Sequence, residues 1–346
     1  MGILRIKGTI DINQFWPIGA SDADTTKIKL LVHENSFYFK KDDERSFKPT
    51  NVFSNAISKG QGSKPVIKTS SRDGSKTITV RLQGVDAPEL HYRAAPLKRS
   101  NEISDEERSK FNSINKERSQ SFAESSTFAL AIFLKSFIDA NGLISATFES
   151  QVDKPFEVID TYGRFIGNIK VDGNKDINIW VVENGWGHPG FYTSMTPGEI
   201  NTFLVAWRKG KRKRNRPSSE LSKDVNNFDW DLLYRKPPID EVFNIGDDKG
   251  KVLMPKIFRR QVSWMVAKKA GVFSRSMNFN TFLKKNPDQL VLLDDFLENG
   301  LNSAFVFPLH KFVNSENKFE KNPDEIVFKE KPGTLENPQG EKITEW

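Results

Sequence analysis

From Ile3 to Ile10 apolar and polar residues alternate, the period of a strand with one buried face. The pattern returns in Lys27-Ile-Lys-Leu-Leu-Val and Phe37-Tyr-Phe-Lys, so residues 27–40 read as strand. It is cleanest in Thr77-Ile-Thr-Val-Arg-Leu, which puts Ile78, Val80 and Leu82 on one face and turns Arg81 to the other. Leu143–Glu149 and Gly163–Val171 repeat it. Between Gln120 and Ala140 the period changes: Phe122, Phe128, Leu130, Phe133, Leu134 and Phe137 recur at spacings of three and four, a helix whose aromatic stripe reads as core. Asp176 is placed to cap a short helix ended by Gly185 and Gly187, and Glu199–Gly210 reads as a third helix.

Two polar stretches interrupt this series. Residues 41–76, rich in Ser, Lys, Asp and Gly, read as a long loop or insertion, and residues 93–117 as a second insertion that is partly helical. Pro217-Ser-Ser and Pro237-Pro238 mark a linker over 217–239. Beyond it, Arg260–Ala270 and Asn280–Asn299 read as helices, and Ala304–Phe307 and Glu325–Phe328 as strands. The expected organisation is α+β in two domains, residues 1–216 and a smaller domain at 240–346, with no internal repeat.

A length of 346 residues suits two cores. The absence of cysteine excludes disulfides, a thiolate nucleophile and Cys-ligated zinc. His33, His91, His188 and His310 have no mutual spacing that makes a metal site. The N-terminal residues lack the apolar core of a signal peptide, and no window reaches the roughly 18 apolar residues of a membrane helix. The expectation is a soluble, cytoplasmic protein without a membrane partner, or a secreted one if a leader has been removed. The net charge of +7 is unevenly spread, since residues 1–216 hold 33 of the 52 basic but 25 of the 45 acidic residues. Seven of the nine residues from Arg208 to Arg216 are basic, and Arg208, Lys211, Arg212, Lys213 and Arg214 are candidates to hold a polyanion. A solvated helix end explains the run equally well.

Three short strings carry the chemistry: Asp22-Ala-Asp24-Thr25, Arg81-Leu-Gln-Gly-Val-Asp86-Ala-Pro-Glu89 and Asp160-Thr-Tyr-Gly-Arg164. Cleaving a phosphodiester needs cations at the nonbridging oxygens, a deprotonated water and, usually, a metal. Arginine's fork fits phosphate oxygens, so Arg81 and Arg164 are candidate clamps. Asp24 and Asp86, with the Ala87 carbonyl, are hard oxygen donors of the kind Ca²⁺ takes. Glu89 has the reach of a general base. Singly, each residue is more often a structural ion pair or turn former.

Together the strings resemble those of the thermonuclease family, the staphylococcal nuclease-like domains, and they occur in that family's order. The resemblance, over about residues 3–216, implies a five-stranded barrel of the OB-fold type carrying three helices, a fold suited to single strands. It implies Ca²⁺ held by Asp24, Asp86 and the Ala87 carbonyl with Asp22 close behind, phosphate bound by Arg81 and Arg164, and water activated by Glu89. The products would be 3′-phosphate ends of DNA or RNA, from single-stranded or frayed regions. Tyr162 and Tyr192, with Phe191 as an alternative, are candidates to stack on bases. The alternative function is a catalytically silent nucleic-acid- or protein-binding module on the same barrel, though this chain keeps all five of Asp24, Arg81, Asp86, Glu89 and Arg164. Three departures stand out: Ala23 replaces a glycine, Ala87 a common threonine and Thr161 a common lysine. The C-terminal region would serve a protein partner. Oligomeric state is left open.

Overall fold

A computed structural model describes all residues except 32–34, 61, 98–102, 228, 237–242, 246–247, 274–276, 287 and 332, so that His33 and Pro237-Pro238 lie outside it. The chain divides into two compact units that interleave along the sequence. One comprises Met1–Val85, Thr127–Val181 and Glu330–Trp346, the other Asp86–Ser126 and Val182–Lys329.

The first unit is a closed five-stranded barrel of β1 (Gly2–Asp11), β2 (Thr25–Leu30), β3 (Lys76–Leu82), β4 (Leu143–Val152) and β5 (Phe165–Val171). β1 runs antiparallel to β4 along its full length, from Gly2 opposite Val152 to Asp11 opposite Leu143. The circuit continues through β2, β3 and β5, with β3 and β5 parallel, and closes where β5 meets β4. The alternation read from the sequence is what fills it: Leu4, Ile6, Ile28, Ile78, Val80, Phe148, Phe165 and Ile169 are buried, their polar neighbours turned outward. Phe133 stacks on Trp180 with centroids 4.2 Å apart, and Leu130 and Leu134 are buried, as the helical stripe requires.

Residues 41–76 do more than loop. Ile67–Thr69 adds to the sheet beside β3, and Ile57–Ser58 pairs with Leu335–Glu336. The last residues of the chain therefore lie on the barrel, where Trp346 stacks on Phe39 at 3.9 Å.

The second unit gathers around the helix Pro255–Ala270, whose Ile257, Phe258, Val262 and Val266 are buried among Phe111, Val225, Phe279 and Leu290. The helix Asp105–Ile114 starts at a Ser104–Glu107 capping box and packs against it. A similar box, Thr196 with Glu199, starts the helix Pro197–Gly210. Residues 280–299 are not one helix. The helix Phe279–Lys284 ends, Gln289–Leu292 forms the middle strand between Val306–Pro308 and Ile326–Phe328, and a new helix begins at Leu293. Burial on both faces explains this, since fully buried Leu290 and Val291 give an apolar run that periodicity alone does not separate from a helix. Residues 217–235, read as linker, lie in this unit, and Val225 is buried in its core.

Candidate functional site

Arg81 is the penultimate residue of β3, between buried Val80 and Leu82, so alternation carries its side chain off the core. It lies opposite Thr25 of β2 on one side and Ile166 of β5 on the other. Its Nη1 stands 2.7 Å from Asp24 Oδ1, and its Nη2 donates to the Val85 carbonyl at 3.1 Å. The chain turns back on the arginine through Gly84, whose φ of +73° is left-handed and open to glycine without strain. Asp24, 2% exposed, also accepts a hydrogen bond from Thr25 Oγ1 at 3.0 Å. Ala23 is not among the described non-glycine residues with positive φ, so its replacement of glycine costs no strain.

Arg164 precedes β5 in a turn that Asp160 organises. One oxygen of Asp160 accepts the backbone N–H groups of Tyr162 and Arg164 at 2.8 and 2.9 Å, and the other takes Arg164 Nε at 2.7 Å. Gly163 supplies the positive φ, +80°, at the bend. Arg164 Nη1 reaches Thr25 Oγ1 at 3.4 Å, and its guanidinium lies 5.0 Å from the ring centroid of Tyr162, which is 57% exposed. A polar chain, Arg81–Asp24–Thr25–Arg164–Asp160, thus joins two guanidinium groups across the ends of β2, β3 and β5. Thr25, its bridge, was not singled out by the sequence; only its place in the motif marked it.

The unit boundary falls between Val85 and Asp86, inside the motif. In the second unit Asp86 and Ala87 are buried, at 3% and 1% exposure. The Glu89 backbone exchanges two hydrogen bonds with Gln120, whose Nε2 donates onward to the Leu253 carbonyl at 2.9 Å. The Glu89 carboxylate is ion-paired with Arg259 of the helix Pro255–Ala270. On the same helix Lys256 and Arg260 share Asp288. Burial holds Lys256 below its ordinary pKa, against the pull of the Asp288 and Asp86 carboxylates. Burial raises Asp288, but the Arg260 hydrogen bond and the Lys256 charge outweigh it and keep that carboxyl below its usual range. These cations were missed in the sequence, although Lys256, Arg259 and Arg260 have the spacing of one helical face.

Other candidates fare differently. Phe191 is 1% exposed, a core residue with no face for a base. Tyr192 is half-buried against Phe328, with centroids 6.2 Å apart. In the basic run, Lys209 pairs with Glu183, Lys211 with Asp324, and Arg216 lies over the Trp186 ring at 3.8 Å, while Arg208, Arg212, Lys213 and Arg214 are exposed. His188 is fully buried edge-on to Trp207, and burial pushes its pKa down to about 4. Among the described residues no three His, Asp or Glu side chains are grouped to hold a metal, and no helix is long and apolar enough to cross a membrane.

A strand-end arginine, a glycine turn and a second arginine in the turn before the neighbouring strand of a closed five-stranded barrel set up the comparison. Residues 79–216 match the family described as staphylococcal nuclease homologue. This nuclease-homologue stretch takes in the end of β3, then β4 and β5, with Arg81, Asp86, Glu89 and Arg164. It leaves outside β1, β2, Asp22, Asp24 and the helix bearing Arg259. The barrel with its helices is the expected OB-type, α+β architecture, with a further C-terminal region. No curated protein matches the chain. The nuclease-homologue match supports a nuclease-type or nucleic-acid-binding role.

Proposed function

We propose that this protein is a nuclease hydrolysing phosphodiester bonds of DNA or RNA. The carrying observation is the pair Arg81, near the end of β3, and Arg164, in the turn just before the adjacent β5, each oriented by an aspartate and linked through Thr25. A guanidinium held by a neighbouring carboxylate keeps its remaining N–H donors in fixed directions, so it meets a phosphate without reorganising. Arg81 and Arg164 bind the nonbridging oxygens and stabilise the charge that grows there. Glu89 accepts the proton of the attacking water, and exposed Tyr162 stacks on a base. By the same resemblance the products carry 3′-phosphate ends.

Asp24, Asp86 and the Ala87 carbonyl would hold Ca²⁺, with Asp22 supporting Asp24. This is an all-oxygen set of the right hardness. Two carboxylates and one carbonyl leave most of the six to eight oxygens that Ca²⁺ takes to water and phosphate. When bound, the ion supplies positive charge against the phosphate.

A second reading, a silent binding module, draws on the pairing of Asp24 with Arg81 and of Glu89 with Arg259, which is also how structural ion pairs are built. Incubation with plasmid and with a labelled single strand, in millimolar Ca²⁺ and in chelator, separates the two. Cleavage in Ca²⁺ alone is expected, and Arg81→Ala, Arg164→Ala and Glu89→Ala should each lose about 10²-fold to 10³-fold or more in kcat. A folded protein that binds the strand and never cuts it leaves only the second reading.

A further inference from the structure

Glu89 does not stand alone in its unit. Arg259 comes from a helix outside the nuclease-homologue stretch, and it is paired with the carboxylate to which the proposed reaction assigns the water. The surroundings make this a built contact. Gln120 grips both backbone groups of Glu89 and ties them to Leu253, two residues before the helix starts. The Arg259 carbonyl accepts Ser263 Oγ at 2.9 Å, and Ser263 Oγ in turn meets Tyr92 Oη at 3.2 Å. Lys256, one turn before, and Arg260, the next residue, are both turned to Asp288, whereas Arg259 addresses Glu89. The side chains of Glu89 and Arg259 are 11% and 25% exposed, enough shielding for the contact to hold.

Resting on the nuclease reading, we infer that Arg259 is a positioning residue for Glu89: the helix Pro255–Ala270 aims the general base, so the activity depends on a part of the chain beyond residues 79–216. A glutamate has three side-chain torsions, and a base that wanders loses the alignment on which proton abstraction depends. A charge-assisted contact to one carboxylate oxygen restricts those torsions.

The test is steady-state cleavage of a labelled single strand by the full chain, with thermal unfolding recorded for each variant. Arg259→Gln is expected to lower kcat about 10-fold to 100-fold with KM little changed, because aim rather than binding is lost. Arg259→Lys, which keeps a charge in reach, should lose only several-fold, and it carries the test if the glutamine variant does not fold. Arg260→Gln breaks the neighbouring ion pair to Asp288 without touching Glu89, and its kcat should stay at the wild-type level. A wild-type or raised kcat in Arg259→Gln overturns the inference, the raised value meaning a latch. An equal loss in Arg260→Gln overturns it as well, since the helix would then matter only for folding. In both cases cleavage by wild type and its loss in Glu89→Gln leave the nuclease reading standing. A wild type that never cuts removes both.

Discussion

Each unit sets an arginine against a candidate carboxylate, and the two pairs are built in different ways. Arg81 and Asp24 sit on and beside adjacent barrel strands whose register is fixed by the buried alternation of Ile78, Val80 and Leu82 against Ile28. Glu89 follows a turn, and its partner Arg259 lies on a helix 170 residues away in sequence. The first pair has side-chain exposures of 11% and 3%, the second of 25% and 11%. Barrel chemistry is therefore bound up with folding, because shifting β3 by one residue would turn Arg81 into the core. The second pair depends on how one helix packs within its own unit.

The largest effect follows from this contrast. Arg81→Met leaves the Asp24 charge buried beside its lost partner and is expected to destabilise by about 3–5 kcal/mol. Arg259→Met removes one partner from a more open carboxylate, at about 1–2 kcal/mol. Urea midpoints of the two variants decide: equal losses would mean that both pairs are structural in the same sense.

How far the sequence carries differs between the units for the same reason. A strand's side chains repeat every two residues, so Arg81's outward turn and the burial of Ile78 and Val80 were legible from local pattern, while the barrel followed from the resemblance of the three motifs. The cap at Asp176 was too, and Ile179 N–H does donate to Asp176 Oδ1 at 3.0 Å. The partner of Glu89 was not legible, because no periodicity links residue 89 to residue 259. Nor was the strand at Gln289–Leu292, where an apolar run fits helix and strand alike. Phe191 shows a third limit: an aromatic near a motif looks the same in sequence whether it faces a base or the core.

The next effect separates the units by pH. Every described histidine lies in the second unit, and His188 is the buried one. Its folded pKa, about 4, is below the ordinary 6.5, so the unfolded chain takes up a proton first as pH falls. Stability is full above about 6.5, declines between there and about 4, and is then flat for this group, a loss of about 3 kcal/mol. In His188→Leu that part of the pH dependence of unfolding should vanish. A variant with the wild-type slope would assign the acid sensitivity to other groups.

The smallest effect on stability, about zero, belongs to the basic run, and it sharpens the contrast between charges that hold the fold and charges that face solvent. Arg212, Lys213 and Arg214 are exposed, whereas Lys209 and Lys211 already answer Glu183 and Asp324. Each phosphate contact steepens the salt dependence of binding by about 0.7 for single strands and about 0.9 for duplex. Replacing Arg212, Lys213 and Arg214 together by Gln should flatten the slope by about two on a single strand while cleavage at saturation persists. Replacing Lys209 and Lys211 should change it by less, because their charges are partly spent on acidic neighbours before nucleic acid arrives. An unchanged slope in the triple variant would reduce the run to a solvated helix end and shift the electrostatic hold back to the two barrel arginines.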